Sequence, residues 1–280
     1  MPRTVWYPGH MAKGKRQLED FAKNLEMLIE VRDARAPHLT SSPMIETFAK
    51  KLPVITVLSK ADLADAESTK MWCNYIKGTG HDVWALDLKQ GGITQLAKHL
   101  QKSMPTFRDL RIAVFGIPNV GKSMLINKLV GRYAVNVGGI PGVTKGVSWV
   151  KGNGFLLVDS PGILDPHSDA RAHRLISWLG SSRSDVIDSY EEHAKELISF
   201  LCKKNILHNF APLLKVEVDG EPYELLEKIA SRYGKLLPGG LYDIEAAAKL
   251  FLEGFANGKW GKFTLELPKD EPLWTMLLKI

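Results

Sequence analysis

Cysteine is almost missing from this chain of 280 residues: Cys73 and Cys202 are the only two, far apart and in no metal-ligand spacing. A disulfide framework and a cysteine-held metal are thereby excluded, and a reducing compartment is expected. The sequence also lacks an apolar run long enough to cross a bilayer, and its aromatic, basic start does not read as a secretory leader. No membrane partner and a cytoplasmic location are therefore expected. Internal repeats and low-complexity tracts are absent, which argues against solenoids and long disordered tails. What remains, at 45% hydrophobic and 24% charged residues, is ordinary globular composition with room for two domains.

Acidic residues are the scarcer charge, and unevenly so. Residues 1–180 carry 24 Lys/Arg against 15 Asp/Glu, a surplus of +9, whereas residues 181–280 carry 13 against 16, or −3. The basic excess, with Lys13, Lys15, Arg16 and Lys23 near the start, suits an anionic partner and salt-sensitive binding. A solvated helix face explains most such charge runs equally well.

The strongest signal present is Gly116-Ile117-Pro118-Asn119-Val120-Gly121-Lys122-Ser123, which fits G-x-x-x-x-G-K-[ST] and follows the apolar run Arg111–Phe115. Glycines let successive backbone N–H groups curl toward phosphate oxygens, and the helix that follows adds its positive end. Asn119, Val120, Gly121, Lys122 and Ser123 are thus expected to hold a nucleotide, Lys122 on the terminal phosphates and Ser123 on Mg²⁺. Downstream, Phe155–Val158 leads into Asp159-Ser160-Pro161-Gly162. Asp159 is placed in the outer shell of the Mg²⁺ and the Gly162 backbone beside the γ-phosphate. Between them lies Gly139–Gly146, whose Thr144 is a candidate Mg²⁺ ligand and γ-phosphate sensor in a switch loop.

The tetrad Ser59-Lys60-Ala61-Asp62 lies upstream of all this, just past the β-branched run Pro53–Leu58. In that position Asp62 would accept the N1–H and the exocyclic amino group of guanine, with the Lys60 stem along the base. The bland reading is a Ser or Asp capping a helix that begins near Ala64. In ordinary GTPases a guanine-recognition element comes last and starts with Asn. Ser59 is shorter, and losing one net hydrogen bond of about 1 kcal/mol would weaken nucleotide binding. The next base-contacting loop reads Asp87–Gly92, without a clean S-A-K.

Strand-like runs at 27–31, 53–58, 83–86, 111–115, 147–150 and 155–158 alternate with helical segments, so the predicted fold is α/β with a mostly parallel sheet. The motif order makes it a circularly permuted P-loop GTPase over residues 1–168, joined through Ser103–Asp109. A small, mainly helical C-terminal domain is expected over 169–280. Its apolar stripes include Ile187–Leu201, Leu225–Tyr233 and Ile244–Phe255, the last capped by Asp243 and closed near Gly258, and a short strand is expected at Gly261–Glu266.

With Trp6–Lys13, Val31–Pro37, Pro141–Gly146 and Asp159–Ile163 added to the phosphate loop, the first 165 or so residues resemble the bacterial ribosome biogenesis GTPase A, or YlqF, family. The resemblance implies GTP binding and hydrolysis in late maturation of the large ribosomal subunit, with the subunit precursor, rRNA and ribosomal proteins as partners; the chain is expected to be a monomer. The resemblance also implies that His10 supplies the polar group that orients water, since Ile163 stands where many GTPases carry Gln and an aliphatic side chain cannot do so. An exposed His before a helix is the competing reading. The resemblance further gives Asn119 a role in holding K⁺, against its reading as a plain turn residue. Two other functions stay open: a nucleotide-gated adaptor that recruits protein partners with little hydrolysis, and a P-loop ATPase, which Asp62 disfavours.

Overall fold

Six runs of β-branched and aliphatic residues form one sheet in the computed structural model, which describes residues 24–42, 44–132, 149–159, 170–181, 187–270 and 273. The strands are β1 Met27–Asp33, β2 Val54–Ser59, β3 Asp82–Ala85, β4 Leu110–Phe115, β5 Trp149–Gly152 and β6 Phe155–Asp159. Their order is β3-β2-β1-β4-β6-β5; all neighbours pair in parallel except β5, a hairpin partner of β6. The runs in β1, β2 and β4 are almost wholly buried because crossover helices cover a parallel sheet.

Val54 and Leu58, four residues apart on one face of β2, tie the two apolar clusters beneath those helices. Helix α1, Met44–Ala49, contributes Ile45 and Phe48, whose ring stacks on Phe115 at 6.0 Å. Helix α2, Ala66–Gly78, contributes Trp72 and Ile76. Helix α3, Ile93–Gln101, and helix α4, Lys122–Val130, complete the described crossovers of this unit.

The permutation is legible in the topology. Counted from β4, the chain runs through β5 and β6, and the strands β1, β2 and β3 follow as a second set. Turns across 102–109 join α3 to β4, where the sequence placed the joint. Because β2 lies on one side of β1 and β4 on the other, the loops after β1 and β4 leave in opposite directions. They open a crevice at the carboxyl ends of the strands.

The described residues divide into two compact units: one ends at Ala172 and resumes at Thr264, the other is His173–Phe263. The sequence had placed the division at 168/169 and assigned everything beyond to the helical part. The structure instead returns Thr264 and the residues after it to the α/β unit. Nor is Gly261–Glu266 a strand; it is extended chain without a ladder partner.

Unit two takes α5, Ala170–Trp178, from His173 onward, with α6, Tyr190–Lys203, α7, Pro222–Arg232, and α8, Ile244–Ala256. Asp243 caps α8 by accepting from the Ala246 N–H at 2.9 Å, as its position suggested. Its interior is apolar, with Leu197, Leu201, Leu226, Ile229, Phe251 and Phe255 buried. Burial and then the nearby Arg174 hold the His193 pKa down at about 4, so the imidazole is neutral beside the Ser177 hydroxyl at 2.5 Å.

Candidate nucleotide site

The loop between β4 and α4 takes its shape from three residues with positive φ: Gly116 at 151°, Asn119 at 55° and Gly121 at 108°. A side chain at Gly116 would place Cβ 2.4 Å from the Val31 carbonyl oxygen, so β4 can pass this close to β1 only with glycine there. Gly121 precedes α4 and gives it no side-chain cap. Lys122 is buried, and its ammonium donates to the Ile117 carbonyl at 2.9 Å within the same loop. Ser123 follows, half-buried. Asp159 ends β6 opposite Val114, one strand across from the phosphate loop, and only its backbone is described. His10, Thr144 and Gly162 lie outside the described residues.

The upstream tetrad meets this loop. The Ser59 hydroxyl lies 2.5 Å from the Val120 carbonyl and 3.0 Å from the Arg32 carbonyl, so its single proton goes to main-chain acceptors of β1 or of the phosphate loop. Short as it is, the Ser59 side chain reaches the main chain of the phosphate loop. The loop after β3 reaches the same place: a Cβ on Gly121 would meet Leu88 at 3.4 Å and Ser59 at 3.6 Å. Asp87 shapes that loop by accepting from the Lys89 N–H at 2.8 Å and the Gln90 N–H at 3.2 Å.

Asp62 is half-buried and, among the described residues, has no hydrogen-bond or ion-pair partner. The capping role that competed for it belongs to Asp65, which accepts from the Ser68 N–H at 2.8 Å and starts α2. That removes the bland explanation for Asp62.

A polar network beneath the tetrad had no assigned role in the sequence. Asp33, at the end of β1, is fully buried between two cations: Arg35 Nη2 at 2.8 Å and Lys60 Nζ at 3.0 Å. Arg35 is fully buried too and clasps Asp33 again through Nε at 2.9 Å and its own backbone N–H at 3.0 Å. Burial alone would raise the Asp33 carboxyl, but Lys60 and Arg35 hold it well below the usual carboxylate range. Burial pushes the Lys60 ammonium below its ordinary value, with Asp33 opposing. Lys60 also sits at φ 54°, a left-handed conformation that a non-glycine residue holds only where its surroundings demand it. Asp33 and Arg35 stand within the run Val31–Pro37 already singled out; no spacing rule would have joined them to Lys60. A buried carboxyl from beyond the helical unit, Glu266, adjoins the same loop and gave no sequence signal.

Loops after β1, β2, β3 and β4 thus meet at the carboxyl edge of the sheet, where they carry the phosphate loop and, in Asp62, a carboxylate without a partner among the described residues. Residues 111–220 match the family model described as "50S ribosome-binding GTPase". The match begins at β4, where a domain of ordinary order would begin. Ribosome biogenesis GTPase A of Thermotoga maritima is 36% identical over 95% of both chains. The protein of that name from Bacillus cereus is 34% identical over 95% of this chain and 94% of its own. The crystal structure of GNP-bound YlqF from T. maritima superposes with a TM-score of 0.65 at 30% identity, covering 92% of this chain and all of that one. With near-complete coverage in both directions, a phosphate loop in the middle of the chain and the Ser59–Asp62 tetrad ahead of it, the protein belongs to the ribosome biogenesis GTPase A (YlqF) family of circularly permuted GTPases.

Proposed function

We propose that this chain is a GTP-hydrolysing assembly factor that acts in late maturation of the large ribosomal subunit. The observation that carries the nucleotide half of this reading is the 2.5 Å contact between the Ser59 hydroxyl and the Val120 carbonyl. It joins a base-recognition element and a phosphate loop 61 residues apart in sequence into one site. The ribosomal half rests on the family. An adaptor with little hydrolysis is not favoured.

In this reading Asp62 accepts the two guanine donors, the Lys60 stem lies along the base and Ser59 ties the base end to the phosphate end. Adenine offers no such donors and would leave Asp62 desolvated and unpaired, so ATP is rejected. The phosphate loop, with Asn119, Val120, Gly121, Lys122 and Ser123, holds the triphosphate. Mg²⁺ fits what is present: a hydroxyl at the start of α4 and a carboxyl-bearing residue at the end of the neighbouring strand are hard oxygen donors. Ser123 and Thr144 would bind it and Asp159 would act from the outer shell, the ion neutralising charge on the phosphates. The Asn119 side chain is exposed and, among the described residues, has no partner, which suits K⁺ coordination beside the phosphates. His10 would orient the attacking water, and Gly162 would approach the γ-phosphate. The basic surplus of residues 1–180 would meet rRNA phosphates, alongside ribosomal proteins, in the cytoplasm, with the chain as a monomer.

The test is GTP turnover with and without large-subunit particles, in K⁺ and in Na⁺. Particle-stimulated turnover that is faster in K⁺ is expected. Turnover that particles leave unchanged would remove the ribosomal reading, and equal rates in the two salts would remove the K⁺ site.

A further inference from the structure

The chain that leaves the helical unit returns to the α/β unit as a short strap, Thr264–Glu266. Each of its residues grips a different part of the base end. The Leu265 N–H donates to the Arg35 carbonyl at 2.7 Å. Thr264 Oγ1 accepts from the Asp65 N–H at 3.2 Å, at the turn that carries Asp62 into α2. The Glu266 carbonyl accepts from the Trp72 indole at 2.9 Å. The Glu266 carboxyl is buried, 3% exposed, and its Oε1 accepts from the backbone N–H groups of His38 at 2.5 Å and Leu39 at 2.8 Å.

A carboxyl is an expensive way to fill space in a protein interior, where an apolar side chain would pack without desolvation cost. What it supplies is two directed hydrogen bonds to consecutive amides of one loop. That loop, Ala34–Thr40, is the one that seats Arg35. From Arg35 the contacts continue to Asp33 and from Asp33 to Lys60, every step at 3.0 Å or less. The other end of the loop is pinned as well: Thr40 Oγ1 accepts from the Asp33 N–H at 2.9 Å and donates to the Ala36 carbonyl at 2.7 Å. Lys60, desolvated and left-handed, is a residue whose placement has to be imposed from outside.

We propose that Glu266 is a positioning residue for guanine recognition: by holding the loop after β1 it sets Arg35, and through Asp33 it sets Lys60 against the base. The proposal rests on the reading of Lys60 and Asp62 as the base-recognition pair. It makes the guanine pocket, formed by residues near the start of the chain, depend on a segment that follows the helical unit.

Full-length Glu266→Ala and Glu266→Gln proteins, titrated with GDP and with IDP and assayed at saturating GTP, test it. IDP lacks the exocyclic amino group that Asp62 would bind. Glu266→Ala is expected to weaken GDP and IDP alike, by about tenfold, because Lys60 lies along a face the two bases share, with saturated turnover unchanged. Glu266→Gln retains an acceptor for both amides and is expected to stay within about twofold of the parent. Parental GDP affinity in Glu266→Ala would overturn the proposal, as would a narrowed preference for GDP over IDP or equal losses in the two variants. Should Glu266→Ala fail to fold, amide exchange in the unmodified protein decides: GDP is expected to slow exchange at His38 and Leu39, and unchanged exchange there would overturn it. A parent that binds GDP and IDP alike would instead defeat the reading of Asp62 itself.

Discussion

The two ends of the nucleotide crevice are built by different physics. At the phosphate end the backbone does the binding, and the decisive choices are residues that allow positive φ: Gly116, Asn119 and Gly121. At the base end, buried side chains support the recognition elements, with Asp33 between Arg35 and Lys60 and Glu266 under the adjoining loop. A backbone site tolerates little change of shape, whereas a side-chain network tolerates little change of charge. The contrast predicts where each end fails.

Charge removal at the base end should have the largest effect. Asp33→Asn leaves the buried Arg35 and the partly exposed Lys60 without their counter-ion and is expected to cost about 3–5 kcal/mol of stability in denaturant unfolding. A loss below about 1 kcal/mol would mean the network is solvated and carries no such burden. The matching shape change at the phosphate end is Gly116→Ala. Its Cβ meets the Val31 carbonyl oxygen at 2.4 Å in a backbone conformation strained for alanine. About 1–3 kcal/mol of stability should be lost, together with most GDP affinity, by unfolding and by nucleotide titration. Retained GDP affinity would show that the phosphate end is softer than its geometry.

The smallest effect concerns pH. Burial, with Asp270 adding and Arg32 and the two amides opposing, pushes the Glu266 carboxyl up to about 7 from an ordinary 4.5. A folded value above the unfolded one means the protonated form is favoured by folding. The stability Glu266 contributes is whole below about pH 4.5, declines as pH rises to about 7 and changes no further above that. The stability difference between the parent and Glu266→Gln should therefore shift across this window with a slope no steeper than about 1.4 kcal/mol per pH unit. A difference that is flat from pH 5 to 7 would place the carboxyl in the ordinary range.

Legibility followed the same divide. The phosphate loop could be read from spacing, because the conformations its backbone needs restrict the residue types that can stand there. All six strand runs appear where β-branched and aliphatic residues cluster, with ends shifted by one or two residues. The cap of α2 gave no clear signal: the competing reading offered Ser59 or Asp62, and Asp65 fills the role, since a cap is chosen by where the turn delivers the chain. The segment Gly261–Glu266 carries the alternation of a strand but pairs with no ladder. Its hydrogen bonds go instead to single residues far away in the chain: Arg35, His38 and Leu39 in the loop after β1, Asp65 before α2 and Trp72 within it.

The sequence by itself determined the fold class, the permutation, the phosphate loop and the family, because each is written in local residue types and their order. Only the tertiary structure decided that Ser59 reaches the phosphate loop, that Asp33 is shared by Arg35 and Lys60, and that Glu266 accepts from the loop after β1. Those are contacts between side chains far apart in the chain. Burial and hydrogen-bond geometry select them, and neither leaves a repeat or a spacing in the sequence.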